Sequence, residues 1–379
     1  MLVAGACAPG EQVDEQLDAA LATITAEEVA EHTQVLGSDE YEGRLPGSPG
    51  EEKTLAYLRA EFEKLGLQPG NAGSWFQEVP LVSITADPSV RLTVRGGDEA
   101  KTYAYGSQIM AWTKRVVESV DLEASEMIFV GYGVVAPEYG WNDYEGLDVE
   151  GKTVVLLVND PGYATQDPEL FNGNSMTYYG RWTYKYEEAA RQGAAAAFIV
   201  HETAPAAYPW GTVEASWSGP QFDMVPEDNN MSRVKVEGWL QLEVAREIFA
   251  MAGQDYDQLK EQAAQRGFRA VPLGLTASMG IRNTIARSIS NNVLAVLPGT
   301  DRADEYIVYM AHWDHLGRDP SLEGDQIYNG ALDNATGVAG LFELAEAFMS
   351  LETRPQRSIL FMSVTAEEQG LLGSAYYAA

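Results

Sequence analysis

The last hundred residues of the chain alternate between short apolar runs and a segment with helical spacing. Apolar residues dominate 292–299, 306–310 and 358–364, which predicts three strands, the first followed by a turn. Between the last two runs, apolar residues recur every three or four positions, which predicts a helix over 334–351. Because strands that alternate with helices pack as a sheet between helical layers, we expect an α/β fold with a mostly parallel or mixed sheet.

The composition is that of a folded, strongly acidic protein. The chain has 379 residues, of which 45% are hydrophobic and 10% aromatic, enough for two or three domains with real cores. Acidic residues outnumber basic ones by 56 to 25, so the formal net charge is −31. Such a charge repels nucleic acid and anionic membranes, and we expect neither as a partner. No apolar run reaches the length of about 18 residues that a transmembrane helix needs.

Cys7 is the only cysteine, which excludes an intrachain disulfide and a thiolate zinc cluster. The small apolar residues before it match the end of a bacterial lipoprotein signal, in which this cysteine becomes lipidated. The alternative is an ordinary frayed terminus. The lipoprotein interpretation predicts a possible lipid anchor at Cys7 and a periplasmic, outer-membrane-anchored or secreted protein, with residues 1–24 as a polar leader segment.

The N-terminal third carries helix and strand signals. Thr25 precedes two glutamates, which predicts a helix start with a threonine cap. Gly43, Pro46 and Gly50 fall in a stretch rich in glycine and proline, which predicts a loop over 38–50. A helix is expected to follow this loop, and alternation within 75–110 then predicts strands.

A second unit is expected from about residue 115. Apolar runs at 127–130, 152–158 and 194–200 predict strands, and 186–192 predicts a helix. The motifs Gly131-Tyr132-Gly133-Val134 and Asp148-Val149-Glu150-Gly151-Lys152 resemble those of protease-associated domains, which are inserted in some zinc exopeptidases and shape substrate access. A generic α/β insertion is the alternative.

Three short segments carry residues that suit chemistry. His312 and Asp314 directly follow a predicted strand, Asp333 precedes a predicted helix, and Glu367 and Glu368 follow the next strand. Taken singly, each is more often a loop residue, a helix cap or a solvated surface pair. Together they gather at strand ends of one sheet, where α/β proteins bind ligands. Imidazole and carboxylate groups are the zinc ligands available when thiolates are absent.

These segments, together with Gly43-Arg44-Leu45-Pro46-Gly47-Ser48, resemble peptidase family M28, a group of zinc exopeptidases with two metal ions. The resemblance implies that His312 and Glu368 each bind a zinc ion and that Asp333 bridges the two ions. It implies that Asp314 orients His312 and that Glu367 is the general base. The expected reaction is removal of N-terminal residues from a peptide substrate by a water that two Zn²⁺ ions activate.

This resemblance implies an organisation of the whole chain. Peptidase residues are expected at 25–114 and 283–379, with the inserted protease-associated domain at 115–282. The family site uses one further Asp and one further His, to which no position here corresponds, so we expect a fragment of a longer enzyme with weak or no activity of its own. His315 does not match the missing ligand and is expected near the cleft or packed in its loop.

Two other functions stay open. One is a metal-free binding or receptor-like module of the same fold, and the other is a glutaminyl-cyclase-like enzyme. Asn334, after the bridging aspartate, resembles the aminopeptidase branch more than the carboxypeptidase branch. Four aromatic residues are candidates for contact with substrate or, alternatively, for packing within the inserted domain: Tyr178, Tyr179, Trp182 and Tyr184.

Overall fold

A computed structural model describes residues 9–320 and 322–379, with side chains from residue 15 onward. Cys7, the predicted lipid attachment point, lies outside the described residues. The helices are α1 (Pro9–Leu21), α2 (Ala26–Leu36), α3 (Pro49–Lys64), α4 (Pro161–Thr165), α5 (Trp182–Arg191), α6 (Thr203–Ala206), α7 (Trp210–Trp217), α8 (Leu242–Met251), α9 (Tyr256–Ala263), α10 (Thr336–Ser350) and α11 (Leu372–Ala378). The strands are β1 (Gln68–Pro69), β2 (Phe76–Ala86), β3 (Arg91–Gly96), β4 (Glu99–Ala104), β5 (Ile109–Trp112), β6 (Ser119–Phe129), β7 (Val135–Ala136), β8 (Trp141–Asn142), β9 (Thr153–Leu157), β10 (Ala196–His201), β11 (Pro220–Met224), β12 (Val236–Gln241), β13 (Val271–Leu297), β14 (Arg302–His312), β15 (Gly317–Arg318), β16 (Ile327–Tyr328) and β17 (Arg357–Val364).

The chain forms two compact units. The first, called the catalytic unit below because it contains the predicted site residues, comprises Met1–Leu81, Phe222–Met224 and Arg287–Ala379. The second, called the inserted unit, comprises Val82–Gln221 and Val225–Ala286. The inserted unit therefore starts earlier in the chain than the boundary at 115 that the sequence suggested. Its identity as a protease-associated domain stays a prediction.

The catalytic unit contains the predicted mixed α/β sheet. Strand β14 runs parallel to β17, from Tyr306 opposite Ser358 to His312 opposite Val364. The last part of β13 runs antiparallel to β17, and β1 runs antiparallel to β13. The fold class is thus the expected one, with the parallel pair at the position that carries the predicted site.

Helices α3 and α10 cover one face of this sheet. Phe62 of α3 and Phe342 of α10 are buried with ring centroids 5.0 Å apart, and Phe361 of β17 packs against Phe62. A fully buried apolar side chain of this size contributes about 1.5–3 kcal/mol to folding. This core fixes the directions of α10 and β17, which lead into the site segments.

Strand β14 has an exposed apolar edge. Among the described residues it pairs with β17. Tyr306, Val308 and Met310 are 57%, 47% and 54% exposed. An edge strand of this kind presents unpaired backbone groups beside apolar side chains.

The N-terminal helices agree with the sequence in one place and differ in another. Thr25 caps α2 as predicted, because its side chain accepts a hydrogen bond from the Glu28 amide. Within the segment predicted as a polar leader, 9–21 form α1, a helix that the sequence analysis did not predict. Ala20 is buried and Gln16 donates to Glu352 at 2.8 Å, so contacts distant in sequence accompany this short polar helix.

The inserted unit is built on a largely parallel sheet. Strands β6, β9, β10 and β12 run parallel in that order, and β5 adds antiparallel to β12. The first part of β13 pairs antiparallel with β6 and β3, and β3 forms a hairpin with β4. Every strand predicted over 127–200 is present, and the predicted helix is α5.

Several charged side chains are buried inside the inserted unit, among them Asp143, Asp160 and Lys185. Asp160 accepts hydrogen bonds from the amide and hydroxyl of Thr177 at 3.0 and 2.7 Å and from the Gly162 amide at 3.1 Å. Lys185 donates to a backbone carbonyl at 2.6 Å, and Asp143 accepts from one amide and one indole N–H. Because each group has close polar partners, the burial of these charges is compensated locally.

The four aromatic candidates of the inserted unit pack mainly on each other and on their neighbours. Tyr184 is buried, with its ring centroid 5.0 Å from Tyr179 and 5.8 Å from Tyr178. Trp182 meets Trp217 edge-on at 4.8 Å. The packing alternative therefore describes these residues, although Tyr178 also keeps an exposed face.

The helices of the described residues differ from what a membrane-spanning helix requires. None of them combines the length and apolar character that crossing a bilayer demands.

Candidate metal centre

Parallel pairing of β14 and β17 creates the site. Because His312 lies opposite Val364, residues 312–315 and 365–368 leave the sheet side by side at its carboxyl edge. The Trp313 amide donates to the Val364 carbonyl at 3.0 Å, which extends the pairing beyond the strand ends. The side chains that the sequence placed after separate strands therefore meet in space.

His312 stands among carboxylates. Its Nε2 lies 3.1 Å from Asp333 Oδ1 and 3.7 Å from Glu367 Oε2. Its Nδ1 lies 3.1 Å from the Asp314 carbonyl oxygen and 3.7 Å from Asp314 Oδ1. Burial acts to lower the pKa of His312, but the hydrogen bond and charge of Asp314 and the charge of Glu367 outweigh it and raise this pKa to about 9. The imidazole thus lies in a strongly anionic environment, which suits a cation.

Asp314 is fully buried, and its carboxylate binds the backbone of Glu367 and Glu368. Its Oδ1 accepts a hydrogen bond from the Glu367 amide at 3.0 Å, and its Oδ2 accepts from the Glu368 amide at 3.4 Å. The resemblance implied that this carboxylate orients His312. In this structure the carbonyl of Asp314 is the closer partner of His312, and the carboxylate connects the histidine loop to the acidic turn.

Glu367 and Glu368 differ in their surroundings. Burial raises the pKa of Glu367, the positive charge of His312 acts against this rise, and Glu368, Asp314 and Asp333 add to it. Glu368 Oε1 lies 2.6 Å from His315 Nδ1. His315 was predicted to lie near the cleft or to pack in its loop. Its contact with Glu368 could be predicted only from the knowledge that the ends of β14 and β17 lie side by side.

Asp333 reaches the site from a π-helical turn at Ala331–Ala335, just before α10. Its side chain is 67% exposed, and the Asp333–Asn334 peptide bond is cis. Asn334 Oδ1 accepts a hydrogen bond from the Gly337 amide at 3.0 Å, so this side chain caps the start of α10. Asp333 therefore presents a solvent-accessible carboxylate from a well-anchored turn.

The turn after Glu368 depends on one close approach. A side-chain carbon at Gly373 would lie 2.3 Å from the Thr365 carbonyl oxygen, which is closer than atoms can come. Asn292 completes the turn, since its Oδ1 accepts from the Thr365 amide at 3.0 Å and its Nδ2 donates to the Gly373 carbonyl at 2.9 Å. The glutamate pair consequently sits on a fixed backbone.

The donor set suits zinc. His312, Glu367 and Glu368 each offer a ligand atom, and these three atoms lie within 4.8 Å of one another. Tetrahedral zinc with bonds of about 2.0–2.1 Å has ligand atoms roughly 3.4 Å apart. The distances from His312 Nε2 to Asp333 and Glu367, 3.1 and 3.7 Å, bracket that separation. Imidazole and carboxylate are also the ligand types that zinc takes without thiolates.

Arg44 is a part of the site for which the sequence analysis predicted no role. Its guanidinium is buried and donates hydrogen bonds to the backbone carbonyls of Trp313 at 2.7 Å, Asn329 at 2.7 Å, Gly330 at 2.8 Å and Leu36. Burial lowers the pKa of Arg44 to about 10, with nearby carboxylates opposing the change, so the side chain stays protonated at neutral pH. Three of these carbonyls lie 269 to 286 residues away in sequence, and the fourth, that of Leu36, lies eight residues away. No spacing pattern in the sequence reveals such contacts.

Residues 292–379, which include every predicted site residue, match the sequence profile of peptidase family M28. Residues 292–379, called the M28 segment below, are therefore similar to this family. The M28 segment contains β14, β17 and α10 and thus the whole candidate metal cluster described above. The resemblance stated from the motifs is therefore confirmed for the family, whereas the protease-associated insertion is not tested.

Curated relatives match about a third of the chain or less. Mouse "Aminopeptidase NAALADL1" is 32% identical over 110 residues, which is 28% of this chain and 13% of that protein. A "Probable zinc metalloprotease" of Pyricularia oryzae is 37% identical over 126 residues, 32% of this chain and 24% of that protein. This chain therefore spans far less than two thirds of these relatives.

A solved structure resembles nearly the whole chain. The "Aminopeptidase from Aneurinibacillus sp. strain AM-1" superposes with a TM-score of 0.52 and 23% identity, covering 96% of this chain and 68% of that one. At this identity the similarity concerns the fold. It agrees with the mixed sheet and flanking helices of the catalytic unit.

Proposed function

We propose that this chain is the core of a zinc-dependent aminopeptidase that hydrolyses the N-terminal peptide bond of peptides, with Glu367 as general base. The cluster of His312, Asp333, Glu367 and Glu368 at the carboxyl edge of the sheet carries this proposal. The similarity of the M28 segment to this peptidase family and the names of the relatives support the same class of reaction.

The proposed roles follow from donor type and position. His312 and Glu368 would each hold a zinc ion, and Asp333, the most exposed of the carboxylates, would lie between two ions and offset their repulsion. When bound, zinc supplies a Lewis acid that polarises the scissile carbonyl and makes water more acidic.

Glu367 is placed to take and return a proton. Its side chain is one-third exposed, so it faces solvent on one side, and its amide is fixed by Asp314 at 3.0 Å. The raised pKa of Glu367 brings the carboxylate closer to the range in which a general base works well at neutral pH. We propose that it accepts the proton of the attacking water and passes it to the leaving amine.

The decisive experiment compares Glu367→Gln with the wild type after zinc loading. The substrates are a short peptide with a free N-terminus and the same peptide acetylated. We expect the wild type to cleave only the free peptide and Glu367→Gln to lose at least about 100-fold in kcat, because a positioned base contributes 10²–10⁴-fold. Glu63→Gln, on the exposed surface of α3, is the matched control and should keep full activity.

Three outcomes would contradict the proposal. A wild-type protein that binds no zinc, under conditions where its circular dichroism is native, would speak against a zinc peptidase. Binding of peptides without zinc or hydrolysis would instead favour the receptor-like module. Conversion of an N-terminal glutamine peptide to a pyroglutamyl product would favour the cyclase.

The proposed location outside the cytoplasm is a separate hypothesis. Growth of an expressing bacterium with labelled palmitate should label the protein, whereas Cys7→Ser should abolish the label. An unlabelled wild-type protein would contradict the lipid anchor without touching the peptidase proposal.

A further inference from the structure

The guanidinium of Arg44 connects three backbone segments around the metal centre. One segment is the loop after β14, through the carbonyl of Trp313 between His312 and Asp314. A second is the turn before Asp333, through the carbonyls of Asn329 and Gly330. The end of α2 is the third segment. These contacts bind the histidine loop and the aspartate turn to one rigid planar group.

We propose that Arg44 is a positioning residue that sets the distance between the histidine loop and the aspartate turn, and with it the metal affinity of the site. This inference rests on the proposed function, since it concerns the same cluster. The measured separation of His312 Nε2 and Asp333 Oδ1 is 3.1 Å. Arg44 fixes the backbone on both sides of that pair without contacting either side chain.

The backbone around Arg44 strengthens the connection. The His315 amide donates to the Arg44 carbonyl at 3.3 Å, so the main chain of Arg44 also holds the histidine loop. Gly43 has φ +68°, and a side-chain carbon there would lie 2.3 Å from the Gly317 carbonyl and 2.6 Å from that of Tyr328. The close approach of these segments therefore requires glycine at position 43.

Only arginine can make this set of contacts. Its guanidinium carries five N–H donors in a fixed plane, whereas a lysine ammonium is a compact point charge on a flexible stem. Four carbonyls in three directions match the planar fork. Arg44 is 1% exposed, and its contacts with Trp313 and Leu36 are buried, so these two carbonyls would lose their donor and also lack water.

Charge gives Arg44 a second effect on the site. Asp314, Asp333 and Glu368 all lie close enough to act on the guanidinium charge. The cation offsets part of the repulsion among these carboxylates before a metal arrives. Arg44→Lys keeps this charge but loses the fork, so it separates the two effects.

The test uses Co²⁺ as a spectroscopic substitute for zinc in the full chain. Wild type, Arg44→Lys and Arg44→Ala are titrated, and the visible absorption of the bound ion reports affinity and coordination. We expect both variants to bind Co²⁺ about 10- to 100-fold more weakly, the range found when groups that orient metal ligands are removed. Guanidinium at low millimolar concentration should restore affinity to Arg44→Ala and not to Arg44→Lys.

A matched control and a metal-free readout complete the design. Arg59→Lys and Arg59→Ala change an exposed arginine of α3 and should leave the titration unchanged. Hydrogen exchange without metal should rise in peptides covering 312–316 and 329–333 of the Arg44 variants and not of the Arg59 variants.

The outcomes separate this inference from the proposed function. If Arg44→Lys binds Co²⁺ like the wild type and shows unchanged exchange in both segments, the inference is overturned. If Arg44→Ala does not fold, Arg44→Lys still tests whether Arg44 positions the two segments. If the wild type itself binds no Co²⁺, the proposed function fails, whereas the exchange data independently decide whether Arg44 positions the two segments.

Discussion

Two clusters of charged side chains, one in each unit, are arranged in opposite ways. In the catalytic unit, the carboxylates around His312 converge on one another, and Asp333 is 67% exposed. In the inserted unit, Asp160 is fully buried and accepts three hydrogen bonds from protein donors. The first cluster gathers like charges without enough cations, whereas the second matches each charge with a local partner.

This difference separates function from folding. Converging carboxylates repel each other and stabilise the fold little, so their arrangement makes sense when a cation joins them. A buried, fully hydrogen-bonded carboxylate contributes to one specific fold and has no capacity left for a ligand. The lesson is that unsatisfied charge, and not the number of acidic residues, distinguishes a site in this very acidic chain.

The largest effect is expected from His312→Ala. Loss of the His312 imidazole should reduce peptide hydrolysis about a thousandfold or more, since metal catalysis contributes several kcal/mol. The measurement is kcat/KM at saturating zinc together with bound metal per protein. His32→Ala removes another imidazole of the catalytic unit, and this variant should keep its metal. An equal loss of kcat/KM and bound metal in both variants would contradict a specific role of His312 in the site.

Asp160→Ala should produce the largest effect on stability. The change leaves the amide and hydroxyl of Thr177 and the amide of Gly162 without their acceptor, which we expect to cost about 3 kcal/mol of unfolding free energy. Asp333→Ala, on the exposed turn, should cost less than about 0.5 kcal/mol. Urea unfolding measures both. Equal costs would show that exposure and hydrogen bonding do not separate the two clusters.

Asp314→Ala tests a site residue that is buried and hydrogen-bonded to protein donors, as Asp160 is in the inserted unit. Its buried carboxylate accepts from the Glu367 and Glu368 amides, so we expect a loss of about 2 kcal/mol in stability and also a 10- to 100-fold loss in metal affinity. Urea unfolding and Co²⁺ titration report the two quantities separately. A variant that loses stability but keeps full metal affinity would make Asp314 purely structural.

The smallest effect, counted per pH unit, concerns Lys185. Burial lowers the pKa of Lys185 to about 7, against the charges of Asp143 and Asp160. Between this value and the unfolded value near 10.5, the unfolded chain binds more protons, so the contribution of Lys185 to stability rises with pH. From pH 7 to 9 the unfolding free energy of the wild type should increase, by at most about 1.4 kcal/mol per unit.

Lys185→Met should flatten this rise, whereas Lys101→Met, at the surface of the same unit, should leave it unchanged. Urea unfolding at pH 7, 8 and 9 is the measurement. A slope that survives in Lys185→Met would assign the pH dependence to other groups.

The parts of the site set by local pattern could be predicted, and those set by distant contacts could not. Strand ends at 312 and 364 follow from apolar runs, and these ends bring His312, Asp314, Glu367 and Glu368 together. The contact between His315 and Glu368 spans 53 residues and depends on the parallel register of β14 and β17. The carbonyls that Arg44 binds are backbone groups, which carry no residue signature.

The same reasoning explains the fold. The central strands and α10 were predictable because their apolar periodicity is strong. Helix α1 was missed because its polar sequence resembles a leader, and its contacts include Glu352, more than 300 residues away. The inserted unit begins at Val82 because strands β3, β4 and β5 belong to its sheet, a pairing that alternation alone does not assign.

The exposed edge of β14 has a consequence for the behaviour of the protein in solution. Among the residues that the structure describes, β14 pairs with β17 alone, and the backbone groups of its other edge, beside Tyr306, Val308 and Met310, invite pairing between molecules. The net charge of −31 opposes such encounters over about 10 Å at 0.1 M salt but over only about 3 Å at 1 M. Colloidal stability should therefore depend on ionic strength, with dilute buffers keeping molecules apart and concentrated salt allowing them to associate edge to edge.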